Sequence, residues 1–287
     1  MLKEAGFEVT LNPFERKMTL EESIETLPGF DAIIAGTEKL NGEVFSNTPD
    51  LKYICRLGAG MDSVDMDSAR AHDIAVENTP SAHVDGVAEL TLGGILSCLR
   101  SIGVSHHKMA QGVWKKPMGR LLRGMTVGII GMGQVGKRLV ELLVPFEVKV
   151  LAFDLSKDET FAAKHNIEFL PLEELVAHSD IISLHIPFTP EAKGIINSAF
   201  LARAKSNLMI VNASRGGLVD EDALIGFLQA NPAASAYLDT FEQEPYQGTL
   251  CQLDNCTLTP HIGSYAKEVR MGMELQAAQN VINFFSK

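Results

Sequence analysis

The chain is poor in positive charge, cysteine, tryptophan and long apolar runs, and each shortage excludes something. Its 25 Lys and Arg residues face 36 Asp and Glu, a net charge of −11. A surface of that sign repels phosphate backbones, so nucleic acid is not expected as a partner. No apolar run reaches the roughly 18 residues that a membrane-spanning helix needs, so no membrane association is expected. The N-terminus has no basic segment followed by an apolar stretch, the mark of a secretion signal, which makes a cytoplasmic location the expectation. Four cysteines, Cys55, Cys98, Cys251 and Cys256, are scattered, and only the last two lie close together. With no second pair or His-x-His partner nearby, they read as reduced thiols and no metal site is expected. What remains is an ordinary globular composition, 46% apolar and 21% charged, with no internal repeat. A length of 287 residues is enough for two domains.

The most informative stretch runs from Thr126 to Asp154. Thr126-Val127-Gly128-Ile129-Ile130 reads as a buried strand, Gly131-Met132-Gly133-Gln134-Val135-Gly136 as the turn after it, and the next residues as a helix. A second strand, Val148 to Phe153, ends on Asp154, 18 residues after Gly136. Gly131 permits the tight turn, Gly133 lets a pyrophosphate approach the backbone, and Gly136 lets helix and strand pack closely. The helix N-terminus at Gln134 and Val135 then offers N–H groups to phosphate. Asp154 suits the ribose hydroxyls of NAD and repels the extra phosphate of NADP. Lys157, three residues beyond, keeps some NADP use open.

Along the chain, strands alternate with helices, an α/β pattern. Met1 to Gly6 reads as a helix tail closed by glycine, and Phe7 to Leu11 as a strand. Thr19 and Glu22 form a capping box. Further strands are expected at Asp31–Ala35, Leu51–Arg56 and Ile74–Asn78, then at Asp180–Ile186, Leu208–Ala213, Ala234–Leu238 and Cys256–Thr259. Val84 to Gly103 reads as one long apolar helix, followed by a polar arm from Ser105 to Leu122. Helices are also expected at Leu172–His178, Ser198–Ala204, Glu221–Gln229 and Ala266–Phe285. The fold expected is two α/β domains: a Rossmann domain over 81–264, and a smaller flavodoxin-like domain over 1–80 and 265–287. The smaller one would lack its first strand, and a chain extended upstream would then be the more stable. The ligand cleft is expected between the domains, at the carboxyl ends of the strands.

Three residues just past strand ends have side chains suited to redox chemistry at a carbonyl: Arg215, Glu244 and His261. Hydride addition builds negative charge on the carbonyl oxygen, and a protonated histidine can donate to it. A carboxylate beside the ring favours the imidazolium and orients it. An arginine grips a carboxylate and polarises the neighbouring oxygen. Taken singly, each of the three is more often a structural residue than a catalytic one.

The ordered set GMGQVG, Asp154, LHIPFTPEAKGIIN, VNASRGGLVDEDAL, LDTFEQEP and TPHIG closely resembles the D-isomer-specific 2-hydroxyacid dehydrogenases, from about Asp31 onward. The resemblance implies that Arg215 binds the substrate carboxylate and carbonyl, and that Glu244 pairs with His261, the acid/base. It implies that Asp239 meets the nicotinamide carboxamide. It places Thr79, His185, Ile186, Pro187, Ala213, Ser214, Gly263 and Ser264 around NAD. Glu244, where the formate dehydrogenases carry glutamine, argues against that branch. Within the family the first domain is most similar to the D-3-phosphoglycerate dehydrogenases, through Arg56-Leu57-Gly58-Ala59-Gly60-Met61-Asp62-Ser63-Val64-Asp65. There the N–H groups around Ala59 and Gly60 would hold the substrate carboxylate. Arg56 would either face a substrate phosphate or make a strand-end salt bridge.

His83 stands where that family usually has asparagine, and either contacts substrate or is a neutral change. A regulatory domain after the last helix is not expected, nor is serine feedback by that route. The expected activity is NAD-dependent interconversion of 3-phosphoglycerate and 3-phosphohydroxypyruvate, a step of serine biosynthesis, by a homodimer joined through residues 84–120. Reduction of hydroxypyruvate, glyoxylate or another 2-keto acid is the alternative. An NAD(H)-sensing, corepressor-like interaction protein is the alternative of another class, since a fold alone does not fix a function.

Overall fold

A computed structural model of the protein describes residues 1–286. It divides into two compact units, Met1–His83 together with the chain from Ser264 on, and Val84–Gly263.

The smaller unit is built on three parallel strands, β1 (Ala32–Ala35), β2 (Tyr53–Arg56) and β3 (Ala75–Asn78), hydrogen-bonded in the order β1-β2-β3. The helix Leu20–Thr26 starts at the expected capping box: Thr19 accepts from Glu22 N–H, and the Glu22 carboxylate accepts from Thr19 N–H. The long helix Lys267–Phe285 covers one face of the sheet. Tyr53 stacks on Phe284 with ring centroids 4.5 Å apart, beside Ala277 and Val281. Asn280 ties the same helix to the C-terminal end of β3 through Asn78 O.

Phe7 to Leu11 is not a strand. Its residues alternate between half-buried and exposed, as a strand would, but none bonds to the sheet. Phe7 meets Phe285 edge-on at 5.8 Å, so the segment lies against the helix, and Leu11 is 82% exposed. Alternation gives a half-buried surface, whereas a strand also needs a neighbour for its N–H and C=O groups. The glycine closure before it holds: Gly6, with φ 89°, ends a short 3-10 turn over Lys3–Ala5.

The larger unit carries a seven-stranded parallel sheet. Its strands are β4 (Thr126–Ile130), β5 (Lys149–Phe153), β6 (Glu168–Phe169), β7 (Ile181–Leu184), β8 (Met209–Asn212), β9 (Ser235–Leu238) and β10 (Cys256–Leu258). The order is β10-β9-β8-β7-β4-β5-β6, so the chain reverses direction across the sheet at β4. That is the doubly wound arrangement, and its ligand crevice lies outside the carboxyl ends of the strands beside β4. β7 and β8 are buried along their whole length, as expected where helices cover both faces of a parallel sheet.

The long helix expected over Val84–Gly103 is two helices, Val84–Leu99 and Ile102–Ala110, bent by 64°. Ser101 at the break has φ 51°. The Leu99 carbonyl, which a continuous helix would bond four residues on, instead accepts from Arg120 N–H at 2.8 Å. The arm expected over Ser105–Leu122 is therefore helical in its first third, as far as Ala110. Among the described residues no single helix is long and apolar enough to cross a membrane. The β6 strand and the helix Glu159–His165 before it are not anticipated by the sequence pattern.

Candidate functional site

The turn after β4 is shaped by close approach. Gly131 has φ 99°, and a Cβ there would lie 2.5 Å from the His185 carbonyl oxygen. A Cβ on Gly136 would lie 2.1 Å from Gly131 O. At Gly133 a Cβ would meet nothing within 4 Å, so this glycine faces open space. Gly133 is the N-cap of the helix Gln134–Leu143, and no side chain caps that end. The turn thus offers backbone N–H groups and the positive end of a helix dipole to an open cleft of about 640 Å³.

Asp154, at the end of β5, lines the same cleft. Its carboxylate is fixed by two N–H donors, Met132 at 2.6 Å and Ser156 at 2.7 Å. The two lysines of the cleft already have neighbours. Lys137 pairs with Asp158 at 2.6 Å, and Lys157 lies over the Phe169 ring at 5.5 Å. A carboxylate at the strand end, an uncapped helix and a glycine that leaves room for a pyrophosphate fit a dinucleotide.

His185 follows β7 and abuts Gly131. Its Nε2 bonds Ser183 Oγ at 2.9 Å. The residue as a whole is half-buried, its Nδ1 is fully buried, and burial pulls the ring down from 6.5 to about 4. The native state therefore takes up fewer protons than the unfolded chain between those values, and this contribution to stability is lost as pH falls from 6.5 to about 4. We expect the gap in urea midpoint between the wild type and His185→Gln to narrow over that window. A constant gap would show that the ring titrates normally. Ile186 is half-buried beside His185, while Pro187 is exposed.

Arg215 sits in a turn after β8 that Asn212 braces. Asn212 Nδ2 donates to Arg215 O at 2.7 Å, and Asn212 Oδ1 accepts from both Ser214 N–H and Ser214 Oγ. Ala213 is buried behind the turn. Gly216 brings it against the next loop, since a Cβ there would lie 1.8 Å from Phe241 O. Phe241 N–H in turn donates to Glu244 Oε1. Glu244 then meets His261, whose Nδ1 lies 2.9 Å from Oε2 and 3.1 Å from Oε1. Both side chains are about two-fifths exposed, 38% for Glu244 and 41% for His261. Three turns, after β8, β9 and β10, thus stand together at the carboxyl end of the sheet.

Asp239 is fully buried, and its carboxylate accepts from Thr259 Oγ1, Ile262 N–H and Gly263 N–H at 2.5, 2.8 and 2.8 Å. Burial pushes this carboxyl above its ordinary range, against the pull of those donors. Its observed partners belong to the loop that carries His261. Thr259, Tyr237, Asn212 and Ser183 do not stand out in the sequence. Thr259 could have been noticed two residues before His261, but nothing local marks Tyr237.

In the smaller unit, Arg56 ends β2 and its Nη1 donates to Leu57 O. Gly58 N–H donates to the buried Thr79 Oγ1 at 2.7 Å, and Asn78 Nδ2 donates to Ala59 O at 2.8 Å. The Gly58–Gly60 loop is thereby pinned to the end of β3, and the Thr79 hydroxyl is engaged in pinning it. His83 and Ser264 are half-buried in this unit.

The sheet order, the open glycine turn and Asp154 define the class: a dinucleotide-binding α/β protein with an ionisable pair at its strand ends. Comparison with known proteins narrows the class. The family model of the D-isomer specific 2-hydroxyacid dehydrogenase NAD binding domain matches residues 92–263, and the chain belongs to that family. It is 34% identical over 284 residues to a hydroxypyruvate reductase of Thermotoga maritima, covering 96% of this chain and 90% of the relative. It is 33% identical to a D-3-phosphoglycerate dehydrogenase of Archaeoglobus fulgidus, covering 98% of this chain and 54% of that longer protein. Among solved structures, D-lactate dehydrogenase from Aquifex aeolicus, complexed with NAD and lactic acid, superposes with a TM-score of 0.84 at 27% identity. That match covers 93% of this chain and 87% of the other. The larger unit is accordingly an NAD-binding domain, and the chain is an oxidoreductase of this family.

Proposed function

We propose that the chain reduces a small 2-keto acid to the D-2-hydroxy acid with NADH, and runs the reverse oxidation with NAD. The observation that carries this reading is the His261 ring held by both oxygens of Glu244 just past β10. The reduced nicotinamide supplies hydride to the carbonyl carbon. His261 gives its proton to the carbonyl oxygen as negative charge builds there, and takes it back in the oxidation. Glu244 fixes Nδ1, so Nε2 is the nitrogen presented to substrate. Arg215 binds the substrate carboxylate and polarises the carbonyl. The cofactor is held by Gly131, Gly133, Gln134, Val135 and Gly136 on the pyrophosphate and by Asp154 on the ribose.

The residues of the smaller unit, Arg56, Ala59, Gly60 and His83, select which keto acid is accepted. Our finer reading is 3-phosphohydroxypyruvate, with Arg56 on the phosphate. A second reading, hydroxypyruvate or glyoxylate, is favoured by the Arg56 guanidinium already bonding the Leu57 carbonyl beside it. NADH oxidation across these three acids separates the readings. For the phosphorylated acid we expect kcat/KM at least about tenfold above the others, and loss of that preference in Arg56→Ala, the removal of a charge-assisted contact. A preference for an unphosphorylated acid that Arg56→Ala leaves intact would discard the phosphate reading and keep the chemistry.

We also propose a homodimer joined through the 84–120 region. Its support is the exposure of large apolar side chains along the arm, with Trp114 at 77% and Met118 at 97%.

A further inference from the structure

His261 carries a backbone strain that the Glu244 pair does not explain. Its φ of 53° lies in the left-handed region, which a residue with a side chain occupies only when its surroundings over-determine it. What does so is the Asp239 carboxylate, which bonds the loop on both sides of the histidine. Oδ1 takes Thr259 Oγ1 before it and Ile262 N–H after it, and Oδ2 takes Gly263 N–H. His261 N–H itself folds back to Thr259 O at 3.0 Å.

Behind Thr259 stands the buried Tyr237, its hydroxyl 2.8 Å from Thr259 Oγ1. The direction of this chain follows from proton counting. Thr259 Oγ1 donates to Asp239 Oδ1, which commits its single hydroxyl proton, so Tyr237 is the donor to Thr259. Every hydroxyl in the row is then committed. The parallel register of β9 and β10, with Leu258 opposite Leu238, sets Thr259 beside Asp239.

We propose that Thr259, backed by Tyr237, is the positioning residue for the acid/base histidine. The proposal rests on the reading of His261 as proton donor. Thr259 acts through Asp239 and the turn, which hold the ring where Glu244 can meet it. Loss of the Thr259 hydroxyl takes one of three donors from Asp239, leaves the Tyr237 hydroxyl without its acceptor, and lets the strained turn relax. A displacement near 1 Å at a reacting group can cost about a hundredfold in rate.

The test is steady-state kinetics on Thr259→Val, Thr259→Ser and Tyr237→Phe beside His261→Ala, with NADH affinity read separately by fluorescence. Thr259→Val keeps the shape and loses the hydroxyl, and we expect kcat to fall by about ten- to a hundredfold, with NADH affinity within about twofold. Thr259→Ser, which keeps the hydroxyl, should recover kcat to within about threefold, and Tyr237→Phe should lose several-fold, as one hydrogen bond of the chain. Wild-type kcat in Thr259→Val, with His261→Ala inactive, overturns the proposal and leaves the proton-donor reading standing. Equal damage in Thr259→Val and Thr259→Ser, or a parallel loss of NADH affinity, overturns it in favour of packing or cofactor binding. Full turnover in His261→Ala would instead remove the proton donor, and the proposal with it. Should Thr259→Val not fold, Tyr237→Phe decides: a lower kcat at unchanged KM supports the chain, and an unchanged kcat overturns it.

Discussion

Replacing His261 with alanine is expected to lower kcat for keto-acid reduction by about a thousandfold, within the range that positioned acid–base groups supply. NADH affinity should stay within about twofold, because the glycine turn and Asp154 are untouched. The reasoning is geometric. Nδ1 is occupied by the two Glu244 oxygens at 2.9 and 3.1 Å, so one nitrogen is left for the reacting oxygen. Alanine removes the donor and leaves only binding and orientation to lower the barrier. Glu244→Gln should be milder, about tenfold, since an amide can still bond the ring but offers it one acceptor oxygen in place of two. Single-turnover kinetics separate the chemical step from product release. Retention of more than about a tenth of the wild-type rate in His261→Ala would show that the proton comes from elsewhere.

The second large effect is expected at Asp154. Wild-type kcat/KM should favour NADH over NADPH by about a hundredfold or more, because the carboxylate would face the extra phosphate as a like charge, a juxtaposition worth several kcal/mol. Two N–H bonds, from Met132 and Ser156, hold that carboxylate in place, so it cannot easily swing away. The nearby cations are engaged, Lys137 with Asp158 and Lys157 over Phe169. Asp154→Ser should bring the ratio to about ten or below, by weakening NADH and strengthening NADPH together, because both the ribose acceptor and the repulsion are removed. An unchanged ratio in Asp154→Ser would move cofactor choice to other residues.

The dinucleotide turn and Asp154 are readable in the sequence because their geometry is local. The turn from Gly131 to Gly136 needs small residues at fixed offsets, and Asp154 follows at the end of the next strand. Arg215, Glu244 and His261 were each ambiguous alone, and became a group only as an ordered set of motifs. The structure adds why that set meets. Asn212 braces the first turn, Gly216 presses it on Phe241, and the Phe241 N–H reaches Glu244.

What was not legible depends on distant partners. The break at Ser101 is marked in the sequence only by Gly103 two residues on, while the Leu99 carbonyl it frees is taken by Arg120 N–H, about twenty residues away. The strand expected at Phe7–Leu11 had the right alternation and no neighbour to pair with. β6 is two residues long, too short for any periodicity to register. The Tyr237–Thr259–Asp239 row joins residues about twenty apart in sequence, and exists only once β9 and β10 are in register.

The most direct test of the central claim follows the hydride itself. The protein is given NADH carrying deuterium at the transferable position, with whichever of 3-phosphohydroxypyruvate and hydroxypyruvate it reduces faster, and the product is resolved on a chiral phase. Hydride transfer to the keto carbon with His261 as proton donor requires deuterium at C2 of the D-2-hydroxy acid, one per NADH consumed, and a rate of its formation about a thousandfold lower in His261→Ala. An L product, or NADH oxidised with no deuterium in the acid, would contradict it.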